Sequence, residues 1–532
     1  MNRSQFHRFA YVVLLCLLAV AMTTSVFATN LLWFLLLVNW VAEWNWKEKF
    51  ADFRSNYLLQ AFLVLMAVHL LWLVGTSNMQ YALFDIRKKL PLLAIPLVIL
   101  TTRPLEYKEG LNVGIAYTAA VFVVSIIGFA RYLTIPFLPY RDIVPYISHI
   151  RFSLNVCMTL VLLAYAALKY RRVWLYALNL LLSLWFLAFL ILLHSYTAFI
   201  ILFVTALVLM VCYSSHMARR MRATAIILSI AVVLLVGGVM WRYVSDYYRL
   251  QPLAVEPLKA STANGNPYIH LNDGLIENGN YVHNYICKQE LCQQWALISD
   301  YPIDSLTPLG YPVYPTLLRY LNGMGVTKDS VGMTHLTATD IQAIEQGIAN
   351  PVYLKPGLRK MLYILFFENE SYRCYHCVAN SSLLQRFELW RNGWHVFLQH
   401  PLLGVGTGDV VDECHQQLQK SNSPLSDTKL HTHNQYLNFL LAFGLLGFGL
   451  ITYFYVKAII KGVKYGRSKE ANALSTSASY HFSPFNSLLL FTAFLCILFI
   501  SFISEDTLET LAGITFSVMG FALLFPRKMA ES

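Results

Sequence analysis

Two histidines stand at the mouth of an apolar run. In HTHNQYLNFLLAFGLLGFGL, residues 431–450, a polar cluster of His431, Thr432, His433, Asn434 and Gln435 passes directly into almost wholly apolar sequence. An imidazole titrates near neutrality and can take a proton from a hydroxyl. Upstream lies SSLLQRFELWRNGWHVFLQHPLLGVGTGDVV, residues 381–411. Its Leu384, Phe387, Trp390, Trp394, Val396 and Phe397 make the apolar stripe of an amphipathic helix that ends at His400-Pro401. Arg386 and Arg391 flank the stripe, and a guanidinium fork can hold a phosphate through two hydrogen bonds. Trp390 and Trp394 suit the headgroup level of a bilayer. The tight turn GVGTGD would let backbone N–H groups approach an anion. Each feature has a plainer counterpart: a helix cap for His433 or Asn434, an interfacial anchor for Arg386, a mere turn for the glycines.

The elements that must position these residues are set by composition. The chain has 532 residues, 57% hydrophobic and 13% charged, with mean hydropathy +0.51. Ordinary soluble domains carry about 25% charged residues. Long, nearly charge-free runs recur at 9–28, 31–44, 57–75, 90–102, 111–131, 149–168, 173–194, 196–213, 224–241, 433–456, 484–503 and 510–525. We read these as about twelve transmembrane helices of an all-α polytopic membrane protein. Residues 1–28 also fit a signal peptide ending in SVFA, but a second apolar run follows at once, which favours a retained first helix.

Lys and Arg crowd the loops at 3–8, 47–54, 103–108, 169–172, 219–222, 457–469 and 527–528. The opposite short loops hold only Arg87, Lys88, Lys89, Arg131, Arg141 and Arg151. The positive-inside rule then puts both termini in the cytoplasm and the long hydrophilic segment outside. The net charge of +11 is mostly this topological signal. No basic stripe interleaved with aromatics suggests nucleic acid. The expected organisation is a membrane domain over 1–242, a large outer loop with amphipathic helices over 243–430, and a second membrane portion over 431–532.

Within the outer segment, TATDIQAIEQGIAN reads as a helix with Thr339 or Asp340 as N-cap, Ile341, Ile344 and Ile348 on one face, and Asn350-Pro351 as its stop. Cys287, Cys292, Cys374, Cys377 and Cys414 also fall here. An oxidising compartment permits disulfides, and the lone CYHC at 374–377 fits a disulfide better than a zinc site.

The order Arg386-x3-Trp390, then HPLLGVGTGD, then HNQYLNFLLAFGLLG resembles the O-antigen ligase superfamily, which includes O-antigen polymerases and protein O-oligosaccharyltransferases. The likeness is close over 381–450. It implies an all-helical fold with a large periplasmic loop between the ninth and tenth spans, in a bacterial inner (cytoplasmic) membrane. It implies a membrane glycosyltransferase of lipopolysaccharide biosynthesis that moves a glycan, with inversion, from a polyprenyl diphosphate carrier to an acceptor hydroxyl on the periplasmic face. It implies neither metal nor other cofactor. Carried onto this chain, His433 is the general base and Arg386 the pyrophosphate clamp. The lipid-borne donor explains the histidine's place: the scissile bond must lie at the membrane boundary.

One departure stands out. Related ligases often carry a Ser-Arg pair at the outer start of the eighth span, and here HSYTAF has Ser195 followed by Tyr196. A second pyrophosphate-binding cation must come from elsewhere, and Arg151, at the outer start of the sixth span, is the choice over Arg242 and Arg249. For the acceptor, lipid A–core is preferred, with a growing glycan or a protein hydroxyl as alternatives. A transporter or flippase is a remote rival, since mid-span charges and paired repeats are lacking. Gly444, Gly447 and Gly449 are assigned to close helix packing.

Overall fold

A computed structural model describes residues 2–526 apart from 136–137, 171, 215–218, 272, 309, 356, 379–380 and 474–483. Arg171, Arg527 and Lys528, counted among the inner-loop cations, lie outside the described residues. The chain is mostly helical and folds as two compact units, 1–222 with 386–532, and 223–385.

Each of the twelve apolar runs falls on a helix. Among the described residues, six helices are long and apolar enough to cross a membrane, or seven if Val26–Ala42 and Trp46–Ser55, bent by 118°, count as one. Tyr57–Leu71, Tyr196–Cys212, Leu488–Ser504 and Leu511–Leu524 are shorter apolar helices. In the first unit these helices share one core. Tyr57–Leu71 packs on the helix Gln435–Ala473, and Leu511–Leu524 on Pro91–Thr101 and Pro484–Ser504. Phe521 sits at the junction, with ring centroids 5.9 Å from Phe62 and 5.3 Å from Phe494. Local chemistry starts the helices: Asn56 accepts from the Leu58 and Leu59 N–H groups, Thr510 from Gly513, and Asn434 from Leu437. Asn434 is therefore a cap.

The helix Gln435–Ala473 is broken at Gly444, whose φ of 59° is left-handed. Such a break frees backbone groups that need partners inside an apolar layer. The glycine-rich turn supplies them. The N–H groups of Leu445 and Leu446 donate to Pro401 and Leu402, while those of Val405 and Gly406 donate to Leu441 and Ala442, at 2.8–3.1 Å. The approach is backbone against backbone: a Cβ on Gly444 would lie 2.3 Å from the Leu402 carbonyl carbon, and one on Gly404 2.4 Å from the Leu441 oxygen. This corrects the anion-cradle reading of GVGTGD, because the N–H groups of Gly404, Val405, Gly406 and Thr407 are already bound to carbonyls. Asp409 closes the motif by accepting from the Ser77 and Asn78 N–H groups. Gly447 does lie close to Trp72 and Val68, whereas Gly449 faces open space and serves no packing contact.

The second unit holds a two-stranded hairpin, Ile276–Glu277 with Asn280–Tyr281, and short helices around a core that includes Trp295, Leu317, Tyr320, Leu321 and Ile344. Fully buried Glu277 is gripped by Arg319 at 2.8 and 2.9 Å and by Asn350 at 2.8 Å. The predicted helix here is Ala338–Glu345, and its N-cap is Thr337, in a capping box with Asp340. The cap lies earlier than expected because Thr337 and Asp340 satisfy each other's backbone donors. Its end is also earlier, and Asn350 instead caps the turn Pro351–Leu354. No disulfide joins any of the described cysteines, so the disulfide expected at CYHC, whose pairing the sequence left open, is not formed. Cys374 and Cys377 lie at and just beyond the end of one helix, Leu358–Tyr375.

Candidate functional site

His433 sits in the connection just before the helix Gln435–Ala473, with a left-handed φ of 50°. A non-glycine residue there is unusual and costs about 1–2 kcal/mol. The surroundings hold it. Trp390 Nε1–H donates to the Thr432 carbonyl at 2.9 Å, and Thr432 Oγ1–H donates to Asn438 at 2.8 Å. Asn434 is bound as the cap. The imidazole is thereby aimed at Asp506, with Nδ1 3.5 Å from Oδ1. At that distance the contact is an ion-pair approach longer than an ordinary hydrogen bond.

Arg386, near the start of the helix Ser382–Gln399, donates from Nη2 to Glu505 Oε1 at 2.6 Å. Arg151, in the first turn of the helix His149–Lys169, lies 3.9 Å from the other Glu505 oxygen and 3.5 Å from Asp506 Oδ1. All three residues expected from the sequence thus converge on one buried carboxylate pair. Neither guanidinium is saturated: the Nε–H groups of Arg386 and Arg151 are buried without a hydrogen-bond partner. A buried cationic donor left open in this way is costly unless an anion or water completes it. Arg242 and Arg249 belong to the other unit, where Arg242 faces Asp246 at 4.0 Å.

Glu505 and Asp506 follow the helix Pro484–Ser504 and are held from several sides. The Leu508 N–H donates to the fully buried Gln435 at 2.8 Å, and Glu505 N–H to Ser501 at 2.8 Å. Buried Lys89 bridges Glu509 at 3.0 Å and Asp85 at 2.7 Å. Gln435 and Lys89 are therefore positioning residues for the carboxylate turn. Lys89, and with it Lys88, had been assigned only to an outer loop; here both pair with Asp85 and Glu509. Burial pushes the Glu505 carboxyl above its ordinary range, even though Arg386 and Arg151 pull it down. Burial also opposes ionisation of Asp506, but His433, His431 and Arg151 outweigh it and hold this carboxyl well below the usual range. The stabilisation Asp506 gives is present above its unfolded value near 4 and is lost only as pH falls toward the lower folded value. Asp506→Asn should therefore lower the melting temperature at pH 7, with the gap to wild type closing as the medium is acidified below about pH 4. Equal melting at neutral pH would remove that role.

Neither carboxylate was singled out from sequence. The available signal was that Glu505, Asp506 and Glu509 are the only charged side chains between 484 and 525. Charge in so apolar a stretch marks function. His431, read as plain loop, lies 3.9 Å from Asp506 Oδ2 and 3.4 Å from the Tyr81 hydroxyl. His433, Glu505 and Asp506 also bring their ligand atoms within 4.8 Å of one another, a spacing that would suit a cation. The Arg386 guanidinium already bonds Glu505 Oε1 and that of Arg151 lies 3.5 Å from Asp506 Oδ1, so a divalent ion would meet positive charge beside these carboxylates.

The sequence profile of the family described as O-antigen ligase matches residues 352–452, which take in Arg386, the glycine-rich turn and His433. No curated protein matches the chain. The profile and the apolar helices together support a multi-pass membrane protein and a glycosyltransferase-type enzyme of the ligase and polymerase kind. That match, over the segment that builds the site, supports membership of the O-antigen ligase superfamily.

Proposed function

We propose that this protein transfers a glycan, with inversion, from a polyprenyl diphosphate carrier to an acceptor hydroxyl, as an O-antigen ligase whose acceptor is lipid A–core. The reading includes twelve spans, an inner-membrane location and a periplasmic site. The observation that carries it is the convergence of Arg386, Arg151 and His433 on Glu505 and Asp506.

The chemistry follows from the donors and acceptors left open. The diphosphate enters against the unfilled Nε–H groups of Arg386 and Arg151. As the anomeric carbon–oxygen bond breaks, charge grows on the departing phosphate oxygen, and the guanidiniums stabilise it. His433 Nδ1 faces Asp506, which favours the tautomer with the proton on Nδ1 and the lone pair on Nε2. Nε2 takes the acceptor's hydroxyl proton as the oxygen attacks, and Asp506 stabilises the imidazolium that results. No metal is required in this scheme.

The test is transfer by the purified protein in lipid. It is given a polyprenyl diphosphate glycan and, separately, lipid A–core, a short glycan and a serine-containing peptide. We expect lipid A–core to gain the glycan's mass, with no loss of rate in chelator. Gain on the short glycan or the peptide instead would reassign the acceptor to a polymerase or a protein O-oligosaccharyltransferase. No gain on any acceptor would sink the reading.

A further inference from the structure

A groove of about 460 Å³ opens between the helix Ser382–Gln399 and the first turns of Gln435–Ala473. Its walls are Trp390, Trp394, Tyr436, Leu437 and Leu440. Arg391, His395 and Asn434 also line it. Its size and largely apolar lining suit a flexible hydrocarbon ligand. The helices come close because Gly393 faces Leu437, where a Cβ would sit 3.1 Å from a methyl carbon. Trp390 is pinned by its bond to the Thr432 carbonyl and so separates the groove from the His433 connection.

Register ties this groove to the phosphate site. Arg386, Trp390 and Trp394 are spaced i, i+4 and i+8, which puts them on one face of one helix. At 1.5 Å per residue the stripe runs about 12 Å along the helix axis from residue 386 to residue 394. A molecule with its diphosphate at Arg386 and a hydrocarbon chain leaving it along this face would enter the groove at once. The cationic Arg391 beside the path favours an anionic lipid. The other end of the lining, Asn434, adjoins the base. Trp394 is 48% exposed.

We infer that this groove binds the isoprenoid chain of the donor, so that Arg386, Trp390 and Trp394 form one track for diphosphate and tail. The inference rests on the donor class proposed above and adds the surface that reads the donor's lipid. It makes chain length a determinant of donor use, and it assigns Trp394 and Leu440 to substrate binding.

The test compares two donors with the same glycan, one on a full-length polyprenyl diphosphate and one on a truncated isoprenoid. For Trp394→Ala and Leu440→Gln, we expect the KM of the full-length donor to rise about tenfold. The KM of the truncated donor and that of the acceptor should stay at wild-type values, and Trp394→Phe should restore most of the loss. A rise in acceptor KM instead would give the groove to the acceptor's acyl chains and overturn the inference. Equal effects on both donors, or none, would mean that the groove meets only bulk lipid, and would also overturn it. A glycan-free polyprenyl diphosphate with a photoreactive tail, in nanodiscs, separates this from failure of the proposed function. Labelling at 390–394 or 436–440 supports the groove whether or not transfer occurs, and labelling confined to other helices excludes it.

Discussion

Replacing His433 by alanine is expected to abolish the proposed glycan transfer, with a loss of about 10²–10⁴-fold or more, while donor binding and protein level stay near wild type. The direction follows from what the imidazole contacts. Its ring lies 3.5 Å from Asp506 and within 4.8 Å of Glu505, and its side chain is 36% exposed. Truncation therefore leaves no large cavity. Asp506 keeps Arg151 at 3.5 Å, so the carboxylate is not abandoned. The complication is the left-handed backbone at position 433, where alanine is disfavoured. His433→Asn removes it, because asparagine tolerates that conformation and cannot act as a base near neutrality. If both variants lose turnover with donor binding intact, the loss is chemical. Wild-type turnover in His433→Asn would end the general-base assignment.

Arg386→Ala carries the second large effect, and it acts through two channels. The guanidinium is the 2.6 Å partner of Glu505, and both side chains are buried. Removing one member of a buried pair costs about 3–5 kcal/mol, because the remaining charge is left uncompensated. Reduced yield of Arg386→Ala is thus expected and does not by itself report on catalysis. The double variant Arg386→Ala with Glu505→Gln removes the stranded charge. It should regain most of the lost melting temperature while donor KM stays raised at least tenfold. Arg386→Lys should fall between, since an ammonium keeps the charge and loses the planar fork. A double variant with wild-type donor KM would show that Arg386 serves the fold alone.

The carboxylate pair also explains how an arginine with an open donor is tolerated at this depth. Glu505 satisfies part of the guanidinium of Arg386 and leaves Nε–H open. Raised by burial, its carboxyl is the one in the cluster most readily neutralised. In the proposed reaction an arriving diphosphate would add negative charge beside it, which would favour that neutralisation further.

Much of this protein was legible in the order of its residues. Apolar runs mark helices because backbone polar groups in lipid must be satisfied within the segment, and every such run is helical here. The spacing of Arg386, the glycine-rich turn and His433 was also readable, since all three lie within one stretch of the chain. Tertiary structure decided the rest. Glu505 and Asp506 stand more than seventy residues beyond His433, and no local period links them. They meet only because Gln435 accepts from the Leu508 N–H and Lys89 bridges to Glu509. Arg151 became a partner of Arg386 through the same shared carboxylate. GVGTGD turned out to complete a broken helix, because a backbone N–H cannot announce in sequence which oxygen it will find. Side-chain type and spacing along the chain are local properties, so sequence alone determined the helices and offered the candidate site residues. Electrostatic partnership depends on distance through space, and only the packed fold set it.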